Sequence, residues 1–176
     1  MKVLGVDPGL KGALATWDGH RLEVEDIQTV KARSRGNDVN LPALIEIINR
    51  LAPFQVVYFE KNSIRPKEGL SSARKNGLVT GITLGIIACK CISIVQITPQ
   101  SWKKKLGLNS DKEYSRTRAI EIFPKYHQLF ARKKDHGRAE AALLAYYGYL
   151  QGHRNVRRRL SDIGLIKDKR KRRKNA

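Results

Sequence analysis

Cysteine and acidic residues are scarce in this chain of 176 residues, and long apolar runs are missing. The two cysteines, Cys89 and Cys91, sit in one apolar stretch and read as buried, reduced thiols. A C-x-C pair alone is a weak metal or redox signal. No apolar run is both long and uncharged enough to span a bilayer, which argues against a membrane partner. The opening "MKVLGVDPGL" moves straight into strand-like sequence, without the pattern of a signal peptide. No internal repeat is visible. The length and a hydrophobic fraction of 41% fit one globular domain with a substantial core.

Only 16 Asp and Glu stand against 35 Lys and Arg, a formal net charge of +19. From Arg157 onward ten Lys or Arg face two Asp, so this segment holds +8 and the residues before it +11. The folded part is itself basic. A polyanion held through its phosphates is the simplest partner. A ribosome-associated or merely soluble basic protein has the same charge.

"KVLGVD" is a short apolar run closed by Pro-Gly, the punctuation of a strand entering a turn. "GALATWDGHRLEVEDIQTV" reads as two strands around the turn Asp18-Gly19. "LPALIEIINRL" has apolar residues at 41, 44, 45, 48 and 51, a helical spacing. "QVVYFE" is a buried strand ending in an acid. "SARKNGLVTGITLGIIACKC" predicts a long helix with glycines at 77, 81 and 85, one smooth face that a neighbouring backbone can approach. "ISIVQIT" is a strand closed by Pro99, "KEYSRTRAIEIF" a helix stopped before Pro124, and 133–150 a final helix. This order predicts an α/β fold: a mixed sheet, antiparallel meander first and parallel strands after, with helices on both faces. The domain spans 1–153, and 154–176 is a basic tail.

The scarce acids fall in telling places. Asp7 closes the first strand, Glu60 closes the fourth, and Asp135 and Glu140 flank the start of the last helix. Singly, Asp7 is a turn residue and Glu60 the partner of a surface cation. Together they can converge, because adjacent strand ends and a helix start meet in space. Converged carboxylates repel and are costly to bury without counter-charge, a cost that a divalent cation removes. Mg²⁺ prefers such hard oxygen ligands. Two ions ~3.5–4 Å apart activate a water and stabilise a leaving oxygen at a phosphodiester.

"GVDPG" on strand one, "YFEK" on strand four and the acidic helix start resemble the RuvC family of Holliday junction resolvases. "TPQSWKKKLGL", "DKEYSRTRAIEIFP" and "KKDHGRAEAALLAYYGYL" look closest to its phage-encoded and plant organellar branch. The resemblance runs from about Lys2 to Leu150. It implies the RNase H-like fold, a homodimer, and metal-dependent symmetric nicking of four-way DNA junctions with Mg²⁺ or Mn²⁺, two ions per active site. The reduced cysteines imply an intracellular setting, which is the bacterial cytoplasm if the chain is phage-encoded. By position, Asp7 and Glu60 match the family's first two catalytic acids. In the third motif many bacterial members have two acids three residues apart. Here Asp135 and Glu140 are five apart, and His136 lies four before Glu140 on the same helix face, so both can point at one metal, and Glu140, Asp135 and His136 join Asp7 and Glu60 as catalytic candidates. Asp135 either joins Asp7, Glu60 and Glu140 at the metal or only caps the helix.

"NSIRPKEGLSSARKNG" follows Glu60 directly. Its Arg65, Lys67, Arg74 and Lys75 are candidates for phosphate contact, against the alternative of a solvated basic loop. Lys103, Lys105 and Lys112 are placed to meet DNA arms, and Arg132, Lys133 and Lys134 to hold the scissile strand. Trp102, close behind a strand, is expected to pack under the sheet. The tail reads as a DNA arm, with a nuclear localisation signal as the alternative. Three rival functions keep some of these features: another structure-selective or RNA-processing nuclease of this fold, a non-catalytic junction binder, and an actin-like kinase lobe. The last requires a second similar lobe that 176 residues without a repeat do not supply.

Overall fold

The computed structural model describes residues 1–32, 36–61, 69–90, 93–109 and 111–162, with the side chains of 112 and of 153–162 left aside. Three antiparallel strands open the chain: β1 (Val3–Asp7), β2 (Ala13–Trp17) and β3 (Leu22–Asp26). The turn between β2 and β3 is the one anticipated at Asp18-Gly19; Asp18 accepts from the amides of His20 and Arg21, and Gly19 takes a φ of 106°. Two short strands not anticipated from sequence, β4 (Thr29–Lys31) and β5 (Asn37–Val39), form a separate antiparallel pair. At three residues each they show too little alternation to be seen in sequence.

Helix α1 (Leu41–Leu51) starts where Asn40 caps the amide of Ala43, and its 3.6-residue spacing buries Leu44, Ile47, Ile48 and Leu51. Each such aliphatic side chain contributes about 1.5–3 kcal/mol on leaving water. Next come β6 (Val56–Glu60), α2 (Leu70–Ala88) and β7 (Ile94–Ile97). The main sheet runs β3-β2-β1-β6-β7, antiparallel on the β3 side of β1 and parallel from β1 to β7. The mixed sheet expected from the sequence is thus present. Helices α3 (Pro99–Lys105) and α4 (Lys112–Ile122) precede two 3-10 segments, Pro124–Phe130 and Lys133–Asp135, and α5 runs from His136 to Asp162. The predicted final helix therefore begins with a tighter turn and continues past Leu150, since its Arg residues are good helix formers.

Strand alternation sorts the core into two layers. Leu4, Val6, Leu14, Val57 and Phe59 pack with α1 and α2. Val3, Ala13, Ala15 and Tyr58 pack on the other face with the alanines and leucines of α5 and with Trp102, Phe123 and Phe130. Helix α5 lies very close to β1. A Cβ on Gly5 would strike Ala141 O and Ala145 N, one on Gly137 would strike Lys11 O, and one on Gly148 would strike the Tyr58 ring.

The glycine row of α2 differs from expectation: among the described residues, nothing outside the helix's own backbone lies within 4 Å of a Cβ built at Gly77, Gly81 or Gly85. The smooth face exists, but it points outward. Cys89, at the C-cap of α2, is exposed rather than buried; Cys91 lies outside the described residues.

Candidate active site

The period of two along β1 and β6 decides where the acids point. Val3 and Gly5 face α5, so Asp7 does too; Tyr58 faces α5, and so does Glu60. β1 and β6 are parallel with Val6 beside Phe59, so the next step of the register sets Asp7 beside Glu60 at the carboxyl ends of both strands. The close seat of α5 on β1 then delivers Glu140 from its first turns. Asp7, Glu60 and Glu140 each bring a carboxylate oxygen within 4.8 Å of the others. Glu60 and Glu140 are buried and Asp7 is half-buried. These are three hard oxygen donors from three elements, a set that suits a divalent cation.

Two consecutive residues of α3 reach into this cluster. The Trp102 indole N–H donates to Glu60 Oε2 at 2.9 Å, and the Lys103 ammonium lies 2.5 Å from Glu140 Oε1. Trp102 is fully buried, and the Lys103 side chain is 11% exposed. The ammonium also sits 5.4 Å from the Trp102 ring centroid, within cation–π range. The helical register turns Lys103, expected to meet DNA arms, toward the acids. Ser115, buried on α4, donates its hydroxyl to Glu140 at 3.3 Å. The packing of Trp102 was anticipated, but neither its bond to Glu60 nor the roles of Ser115, Gly5 and Gly137 were. In sequence, the only hint was an apolar-basic pair, Trp102-Lys103, immediately behind a strand end.

Asp135 is buried but does not join the cluster. Its carboxylate takes the Arg132 amide at 2.9 Å and the Arg132 guanidinium at 2.8–3.1 Å. Burial raises the Asp135 carboxyl, yet the hydrogen bonds and charge of Arg132 outweigh it and hold the group below the usual carboxylate range. Asp135 therefore braces the 3-10 turn that leads into α5. His136 is half-buried at the head of α5, outside the three-acid group. Arg138, next along, grips Asp26 through two hydrogen bonds of 2.5 and 2.7 Å and ties α5 to the end of β3. On α4, Arg116 donates to the Phe130 and Ala131 carbonyls and fixes the approach to the same turn.

A groove of about 1050 Å³ opens between the β1–β2 turn (Leu10, Lys11, Gly12), Asp26 and Ile27, the start of α4, and Arg132–His136. Lys11, Lys133 and Lys134 are exposed, and the Arg132 side chain is 54% exposed. Of the other predicted binding residues, Arg74 and Lys105 are exposed, while Lys75 is drawn to Asp38 and the Asn37 carbonyl. Arg65, Lys67 and the Lys112 side chain lie outside the described residues. No helix among the described residues is long and apolar enough to cross a membrane.

No family model matches the chain. Over 90 residues, 50% of its length, it is 32% identical to the Holliday junction resolvase MOC1, chloroplastic, of Chlamydomonas reinhardtii. The matched segment spans 10% of that much longer protein. Two solved structures of Thermus thermophilus RuvC are similar in fold. One has a TM-score of 0.53 at 16% identity, covering 86% of this chain and 97% of that one. The other, RuvC in complex with Holliday junction substrate, has a TM-score of 0.54 at 19% identity, covering 86% and 96%. Both likenesses cover nearly all of the RuvC chains, and the mixed five-stranded sheet suits them: this chain has the RuvC-like, RNase H-like α/β fold.

Proposed function

We propose that the chain is a crossover junction endodeoxyribonuclease that resolves four-way DNA junctions by metal-dependent symmetric nicking. One observation carries the reading: Asp7, Glu60 and Glu140 converge within 4.8 Å in a protein of net charge +19. Its similarity over half its length to a named junction resolvase, and in fold to RuvC, supports the choice of substrate.

The three carboxylates would hold Mg²⁺, with Mn²⁺ as a substitute and two ions per site. Bound there, the cation supplies an activated water and charge stabilisation at the scissile phosphate, leaving 5′-phosphate and 3′-hydroxyl ends. The chain's own residues do the rest. Lys103 tempers repulsion within the cluster, and Ser115 orients Glu140. The groove bounded by the turn that follows β1 takes the scissile strand: Lys11, Lys133 and Lys134 line it, and Arg132 is held in place by Asp135. Arg74 and Lys105 extend the basic surface for DNA arms, and the tail 154–176 adds a non-specific arm to a domain spanning 1–153.

A two-fold dimer suits a four-way junction, because two related sites nick two strands of like polarity. The outward face of α2 is our candidate for the contact. Gly77, Gly81 and Gly85 leave open space there, and Leu78 and Leu70 are 53% and 86% exposed. Three interior glycines weaken a helix by about 1 kcal/mol each, a cost that close approach of a second helix would offset. The matched curated relative is chloroplastic, so it lends no support to a bacterial host.

Cleavage of a labelled mobile four-way junction beside a linear duplex of the same sequence tests the reading, with Mg²⁺, with EDTA, and with Asp7→Asn and Glu140→Gln. Paired nicks on the junction alone, lost with EDTA and in both variants, are expected. Equal cutting of the linear duplex would leave a general nuclease; binding without cutting would leave a junction-binding protein.

A further inference from the structure

We propose that Trp102 is a positioning residue for the metal site: its indole N–H holds the Glu60 carboxylate in the orientation that a cation requires. The proposal rests on the metal reading of the three acids given above. The contact is a buried, well-formed hydrogen bond of 2.9 Å between a fully buried ring and a carboxylate that is 5% exposed. Core packing does not require such a bond. The other tryptophan, Trp17, is packed edge-on against Phe123 and Tyr149, and its indole nitrogen is buried with no acceptor among the described residues. In this protein an indole can therefore serve the core without a polar partner. That of Trp102 is spent on a candidate metal ligand.

The chemistry of the donor matters. A glutamate has three rotatable side-chain bonds, and ordering it on metal binding costs conformational entropy. A donor already in place removes much of that cost, which is why groups behind metal ligands affect affinity so strongly. The indole N–H is neutral, so it orients Glu60 without cancelling the charge that attracts a cation. Lys103, the next residue, treats Glu140 differently, with a full positive charge that a cation must displace or share. Successive helical residues diverge by about 100°, so a helix of seven residues addresses acids on β6 and on α5 at once.

The test uses the full chain. In a ¹⁵N spectrum of the wild-type protein, two indole N–H signals arise from Trp17 and Trp102. Titration with Mg²⁺ should move one of them, the one missing from Trp102→Phe, and leave the Trp17 signal in place. Calorimetric titration with Mn²⁺ should show about 10-fold or more weaker binding in Trp102→Phe. Its kcat on junction DNA should fall, while junction affinity in EDTA is unchanged. If that variant does not fold, Trp17→Phe assigns the two signals instead, and the wild-type spectrum still decides. Equal Mn²⁺ affinity in the two proteins, or a metal-insensitive Trp102 signal while calorimetry reports binding, would overturn the role of Trp102 and leave the metal site standing. Absence of metal binding by the wild-type protein would overturn both.

Discussion

Helices α2 and α5 both place small residues every four positions, yet the two rows meet opposite surroundings. Gly137, Ala141 and Ala145 press against β1 and the turn after it, where an added Cβ on the facing Gly5 or on Gly137 has no room. Gly77, Gly81 and Gly85 meet no other element among the described residues. The pattern therefore states that something can approach, not what does. What separates the helices is the rest of their surface. The first turns of α5 are buried almost all round, as befits a central helix, whereas α2 buries only Val79, Thr83 and Ile87.

The comparison can be broken most severely at the reacting end of α5. Glu140→Gln should lower junction nicking by about 10³-fold, equivalent to roughly 4 kcal/mol of transition-state stabilisation, as read in single-turnover cleavage. Gly5→Val should come next, because it forces α5 off β1. We expect a loss of about 3 kcal/mol or more in denaturant unfolding, with nicking lost alongside. On α2 the same kind of change should act in reverse. Gly81→Ala should stabilise the folded subunit by up to about 1 kcal/mol. If a second copy packs there, the variant should also raise the dimer dissociation constant in analytical ultracentrifugation. An unchanged constant would remove that face from the dimer proposal.

The smallest effect concerns the turn ahead of α5. The Asp135 carboxyl is held below its ordinary range, so its bond to Arg132 stabilises the folded chain at pH above the unfolded value of about 3.9 and is lost as pH falls through the lower folded value. Asp135→Asn should thus be less stable than wild type at pH 7, and the gap should close progressively below about pH 4. Arg132 is largely exposed, which keeps the effect modest.

These contrasts also explain what the sequence made legible. Strands β1 and β6 and the acids that end them could be read because a strand's period of two, a Pro-Gly stop and a terminal carboxylate are all local signals. The order of elements then implied their convergence. Lys103 could not be read the same way: on sequence it is one lysine among three, and only the register of a seven-residue helix turns it toward Glu140. Asp135 stayed a candidate beside Glu140 because both are acids near one helix start. The 3-10 turn before His136 separates them, sending one to Arg132 and the other to the cluster. The exposed row on α2 was read as a packing face because spacing alone says nothing about whether the neighbour belongs to the same chain.

The three acids sit at positions 7, 60 and 140, on the first strand, the fourth strand of the main sheet and the last helix. During synthesis, Asp7 and Glu60 leave the ribosome before Glu140 does. Until Glu140 follows, a growing chain holds two of the three carboxylates and no complete cluster. The seat of α5 on β1 thus both closes that layer of the core and completes the cluster of acids.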